Sequence, residues 1–225
     1  MPTRSQPLLN DEVYHVFNKT IVDQAIFSEK KICDYAIKTF WFYRKRQQRQ
    51  KLSTFQRITD LYQQEFLEYF ETLPNIVDIH CYCLMPNHFH LLLTQKMNGG
   101  ISHFVGTCQN SLARFHNRLH GVSGPIFLPG FHSVHISSNA QLMHISRYIH
   151  LNPYTSSKVK TFSELYKYPW SSLQTYLNLS QDAGFLETSL IGNLVGSPDQ
   201  HRQFIEDQAD YQRSLHSLSH SGSVI

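Results

Sequence analysis

Along the 225-residue chain the spacing of apolar positions changes period several times, and each change marks an element. Glu12 to Lys19 alternates like a first strand. Ile76 to Cys83 and His88 to Thr94 read as adjacent antiparallel strands turned through Met85-Pro86-Asn87, where proline and asparagine favour a tight connection. Glu29 to Arg49 predicts a helix ending in a basic run, Arg44-Lys45-Arg46 followed by Arg49 and Lys51. Thr54 to Glu71 is a second amphipathic stretch inserted before the next strand, with Phe55, Ile58, Leu61, Phe66 and Tyr69 at core spacing. After a break at Gly99-Gly100, Ile101 to His120 predicts a helix and Pro125 to Ile136 a further strand. Asn139 is the expected cap of a helix carrying Tyr148 and Asn152, and Pro153 its expected stop. Beyond Tyr176 the pattern loosens: Leu177 to Gly196 is mixed, Ser197-Pro198-Asp199 opens a short polar helix to about Leu215, and His216 to Ile225 is expected to fray.

This order of strands and helices fits an α+β domain with an antiparallel sheet and helices on one face. It predicts a domain over residues 1–176, a helical insertion at about 44–74, and a C-terminal extension over 177–225.

The run Met85-Pro86-Asn87-His88-Phe89-His90-Leu91-Leu92-Leu93 carries the most chemistry. Residues two apart on a strand share a face, so His88 and His90 stand together while Phe89, Leu91 and Leu93 point the other way. Further on, Tyr148 and Asn152 are four apart, on one side of a helix. Two imidazoles, an amide oxygen and a phenol suggest a metal-assisted phosphoryl-transfer site with tyrosine as nucleophile. Paired histidines on an apolar strand serve equally well as hydrogen-bonded core. Cys81 and Cys83 add a rival closed zinc set with His88 and His90. A single intervening residue on a strand sets two sulfurs awkwardly far apart for that set, and the cysteines read better as small buried hydrophobes. Asn152, just before a proline, fits a helix terminator as well as a ligand on spacing alone.

Cys83 to Leu92, Gly121 to Phe127, and Arg147-Tyr148-Ile149-His150-Leu151-Asn152-Pro153 occur in an order that resembles the REP-associated branch of the single-tyrosine HUH transposases. Tyr14-His15-Val16 and Tyr168-Pro169-Trp170-Ser171-Ser172 extend the resemblance over roughly residues 11 to 176. It implies a ferredoxin-like HUH domain acting as a metal-dependent single-stranded DNA nuclease and strand transferase on hairpin DNA. Tyr148 would be the nucleophile, His88, His90 and Asn152 the ligands of Mg2+ or Mn2+, and the product a 5′-phosphotyrosine. Readings outside catalysis are a hairpin-binding protein that does not cut and a zinc-stabilised module. Where an arginine is common in the family this chain has Asn18-Lys19, and again Gly130-Phe131-His132, so sequence preference is not carried over.

Composition changes this picture little. A net charge of +3 and a pI near 8.6 permit nucleic acid as partner without demanding it. Arg114 and Arg118, four apart, suit a phosphate grip, although a solvated face is the ordinary use of such a pair. Lys19, Arg44 and Arg147 complete the expected DNA contacts. Trp41, Phe42 and Tyr43 beside the basic run are candidates for stacking on bases. Four cysteines without a disulfide-like framework, no leader-like start and no apolar run near ~18 residues predict a cytoplasmic protein, monomer or homodimer, without membrane attachment.

Overall fold

The computed structural model describes residues 7–46, 51–180 and 184–212. Four antiparallel strands form its floor: β1 (Val13–Lys19), β2 (Val77–Met85), β3 (His88–Gln95) and β4 (His132–Ile136), in the order β2-β3-β1-β4. That is the ferredoxin-like arrangement expected. Pro86 and Asn87 alone join β2 to β3, which sets Cys83 opposite His90 and Met85 opposite His88. On the other side of β3, Phe17 faces His90 and Lys19 faces His88. A register shift between Ile79 and Cys81 lets these two near neighbours on β2 enter different cores.

Helices cover both faces of this sheet rather than one. Strands β2 and β3 are apolar on both sides, with Phe89, Leu91 and Leu93 in one core and Leu92, Cys81 and Cys83 in another, so each side needs a layer. Helices α1 (Lys30–Tyr43) and α4 (Gly100–His120) cover the first face, where Phe40 meets Tyr82, Phe89 and Phe104. Gly100 starts α4 so close to β2 that a Cβ there would lie 2.3 Å from the Ile76 carbonyl oxygen.

Helix α1 stops at Tyr43, short of the expected Arg49, which lies outside the described residues. Past that point the backbone turns to a different partner: Ile76 N–H donates to Arg44 O and Arg46 N–H to Pro74 O. The insertion divides into α2 (Leu52–Phe55) and α3 (Asp60–Thr72). Phe55, Phe66 and Phe70 pack there on Trp41 and Phe42, so Phe42 and Tyr43 fill core rather than present a stacking surface, while Trp41 is partly buried against it. Tyr69 is 55% exposed, and Phe70 takes the core position instead; the Leu61 side chain lies outside the described residues. Strand β4 begins at His132, not Pro125, because Ile126 to Leu128 run past the end of β1 and bond Lys19 to Ile21.

Helix α5 (Asn139–Thr155) covers the second face along β2 and β3. Its cap is Ser138, one residue before the expected Asn139, with Ser138 Oγ accepting from Gln141 N–H. The helix also runs through Pro153 instead of stopping before it. Proline removes the donor to the Ile149 carbonyl, and burial on the far side offsets that loss. Leu151 and Tyr154 pack against Leu165 of α6 (Phe162–Tyr166), Leu173 of α7 (Leu173–Tyr176) and Ile205 of α9 (Pro198–Glu206). The extension thus supports α5, with α8 (Ser189–Val195) adding Ile191 to the core beneath it. Leu215 and His216 to Ile225 lie outside the described residues. Among those described, no helix is long and apolar enough to cross a membrane.

Candidate active site

Strand alternation delivers His88 and His90 to the face beneath α5, with ring centroids 5.0 Å apart at 90°. His90 is buried, and its Nδ1 lies 2.9 Å from His15 Nε2 on β1. Burial lowers the His15 pKa to about 4. It holds His90 well below the usual histidine range, with His15 and His88 adding to the effect. Both rings are therefore neutral at pH 7, and one donates to the other. His90 Nε2 is buried without a hydrogen-bond partner among the described residues. If His90 Nδ1–H donates, that orphan is a lone pair aimed into the site, the condition of an imidazole a cation would complete. His88 is set from outside: its Nδ1–H donates to Asn87 Oδ1 at 2.7 Å, and Asn87 Nδ2 donates to Asp23 Oδ1 at 3.0 Å. This fixes the tautomer that leaves His88 Nε2 as the acceptor.

Helix α5 brings Tyr148 over these rings, 5.4 Å from His90 at 85° and 6.0 Å from His15 at 73°. Burial raises the phenol pKa, the Asn152 side chain opposes that rise, and Cys83 adds to it. Asn152 is 2% exposed, one turn beyond Tyr148, and its Nδ2 has no hydrogen-bond partner among the described residues. Since α5 continues past it, the helix-terminator reading of Asn152 does not hold. The helix is pinned to the sheet by His150, whose Nε2 lies 3.0 Å from Ser172 Oγ. Ser172 Oγ in turn donates to Tyr82 O and accepts from Tyr82 N–H.

His88, His90, Tyr148 and Asn152 thus share one layer, and Lys19, exposed and 3.7 Å from Asp23, stands at the same end of the sheet beside His88. The other expected DNA contacts are elsewhere. Arg44 is 6% exposed, its guanidinium lying between Phe70 and Phe185 and 3.7 Å from Glu71 Oε2. Arg114 and Arg118 are exposed on α4, across the sheet from Tyr148. Arg147 turns away from its neighbour Tyr148 and lies 3.9 Å from the Phe204 ring centroid. Cys81 and Cys83 are fully buried and burial raises both thiol pKa values, so they are protonated core residues. Among the described residues they form no ligand cluster with the histidines. The residue that sequence reasoning left without a role is His15. It lies two before Phe17, the cross-strand partner of His90, a register the sequence does not state.

These features define the class: a ferredoxin-like domain with paired histidines on a central strand and a tyrosine on a helix above them. The family model for IS200-like transposases matches residues 34–152, more than half of the chain, and the chain belongs to that family. His88, His90, Tyr148 and Asn152 all fall within the match. Among solved structures, that of a REP-associated tyrosine transposase bound to a REP hairpin is similar. Its TM-score is 0.51 at 14% identity, covering 84% of this chain and 90% of that one, a likeness of fold. No curated protein matches the sequence. The two likenesses agree with the resemblance carried by the sequence motifs.

Proposed function

We propose that this member of the transposase family is a cytoplasmic, metal-dependent single-stranded DNA endonuclease and strand transferase acting on hairpin DNA. Residues 1–176 are the catalytic domain in this reading, and 177–225 an extension that supports it. The observation that carries the proposal is the buried His90 Nε2 beneath the Tyr148 ring, without a hydrogen-bond partner among the described residues. His88 and His90 would hold a divalent ion through Nε2, and Asn152 through its side-chain oxygen. Mixed nitrogen and oxygen donors suit Mn2+ or Mg2+, Mn2+ binding imidazole better. When bound, such an ion supplies charge withdrawal from the scissile phosphate.

The chain's own residues do the rest. Attack of Tyr148 Oη on phosphorus forms the O–P bond and breaks the bond to the 3′ oxygen. It leaves a 5′-phosphotyrosine and a 3′-hydroxyl, and gives up the phenolic proton. The phenol is protonated at neutral pH at its ordinary value, and burial raises its pKa further, so attack requires loss of that proton. The covalent ester retains the phosphodiester energy, and attack by another 3′-hydroxyl rejoins strands without a nucleotide cofactor. Likeness of fold to a protein solved with a REP hairpin, together with membership of the transposase family, supports a hairpin substrate.

The test is incubation of labelled hairpin DNA carrying a single-stranded flank with Mn2+, followed by a denaturing gel. A covalent protein-DNA band is expected, absent in Tyr148→Phe while DNA binding persists. Binding without a band in the wild type would identify a hairpin binder that does not cut.

A further inference from the structure

A second group of metal-ligating side chains lies on the opposite face of the sheet from Tyr148. Glu29 is the N-cap residue immediately before α1, and His116 and His120 lie one turn apart at the C-terminal end of α4. Their donor atoms all lie within 4.8 Å of one another. His120 Nε2 is 3.0 Å from Glu29 Oε1, and the two imidazole centroids are 4.5 Å apart at 45°. We propose that Glu29, His116 and His120 form a zinc site that ties the start of α1 to the end of α4, independently of the reading given for Tyr148.

Two imidazoles and a carboxylate are a donor set that zinc accepts, with water in the fourth position. Zinc bonds of about 2.0–2.1 Å set tetrahedral donors roughly 3.3 Å apart, so the group must draw in by about 1.5 Å from its widest separation. The side chains divide that task by their burial. His116 is buried, and its Nδ1–H donates to Asn117 Oδ1 at 3.4 Å, which leaves Nε2 as a lone pair. Glu29 is half-buried and His120 exposed, so both have the freedom to swing toward it. Three things therefore coincide: a fixed ligand, two adjustable ones, and the negative end of the α4 dipole, which favours a cation there. The competing explanation is a plain His120–Glu29 ion pair at the surface, and such pairs contribute little.

The full-length protein is titrated with Zn2+ while bound equivalents and melting temperature are followed, in the wild type and in His120→Gln and Glu29→Gln. The expected result is one equivalent fewer in His120→Gln, loss of the corresponding zinc-dependent rise in melting temperature, and at least tenfold weaker binding in Glu29→Gln. Zinc taken up by His88 and His90 is common to all three proteins and cancels in the comparison. His120→Cys should restore the equivalent. Loaded with Co2+, it should also show thiolate-to-metal charge-transfer absorption absent from the wild type, whose four cysteines are buried. Equal stoichiometry and equal melting shifts in wild type and His120→Gln would overturn the proposal and leave an ion pair only. A His120→Cys variant without the new absorption would overturn it as well.

Discussion

His15 Nε2 and His90 Nδ1 meet at 2.9 Å across β1 and β3, so the orientation of one proposed ligand is set by a residue 75 positions earlier. An outer partner of this kind commonly contributes ~10- to 100-fold to metal affinity. His15→Ala should raise the Mn2+ concentration for half-maximal cleavage within that range without abolishing the covalent band. His15→Gln, which keeps an amide able to pair with the ring, should recover part of the loss. An unchanged Mn2+ requirement in His15→Ala would assign the pair to packing alone.

Phe89 separates the two histidines in sequence and points to the other core, against Phe40 and Phe127. Phe89→Ala should therefore cost about 3–5 kcal/mol of stability in urea unfolding. The Mn2+ requirement of the protein that remains folded should stay at the wild-type value.

What the sequence revealed and what it concealed divide along the same line. Period-two alternation is local, so the strand faces of His88, Phe89 and His90 were readable, as was the i, i+4 pairing of Tyr148 and Asn152. The partnership of His15 with His90 depends on register between separate strands, which no local pattern states. Pro153 reads as a stop because its missing N–H is a local fact. The packing of Tyr154 and Leu151 against Leu165 and Ile205 that carries the helix past it is not local. Arg44 looks like free positive charge until the inserted α3 brings Phe70 and Glu71 onto it. Helices were expected on one face because the order of elements does not reveal that β2 and β3 are buried on both.

Arg44 and Lys19 should separate in a salt titration of hairpin binding. Each phosphate contact removed lowers the slope of log affinity against log salt by about 1. Lys19→Ala should show that change, because Lys19 is exposed beside His88. Arg44→Ala should leave the slope unaltered and lower the melting temperature, since its guanidinium is packed between Phe70 and Phe185.

Acid should destabilise the support beneath α5. Burial lowers the pKa of His201 to about 4, and its ring stacks on Tyr176 at 4.7 Å. The unfolded chain takes up the proton near its ordinary value of about 6.5, whereas the folded chain resists until about 4. The stability this contributes is present above pH 6.5 and is lost as pH falls through that window. Between pH 7 and 5.5 the loss from this residue is about 1 kcal/mol. His201→Gln should lose correspondingly less than wild type over that interval in urea unfolding, whatever its stability at pH 7. An identical loss would mean that His201 titrates alike in both states.

Asn152 gives the sharpest test of the proposed ligand set. It is buried inside α5, one turn from the Tyr148 phenol, and its amide nitrogen has no hydrogen-bond partner among the described residues. Because the helix runs on to Thr155, removing the side chain takes away no terminator. Asn152→Ala should then raise the half-maximal Mn2+ concentration at least tenfold with a small change in melting temperature. Asn152→Asp exchanges the amide for a carboxylate, a harder and charged oxygen donor. It should preserve cleavage and shift the Mn2+ requirement downward. If Asn152→Asp instead matches Asn152→Ala, the side chain acts on Tyr148 through its amide donor, and the third ligand must come from elsewhere. An Asn152→Ala protein that melts several degrees lower with an unchanged Mn2+ requirement would reduce the residue to a packing role.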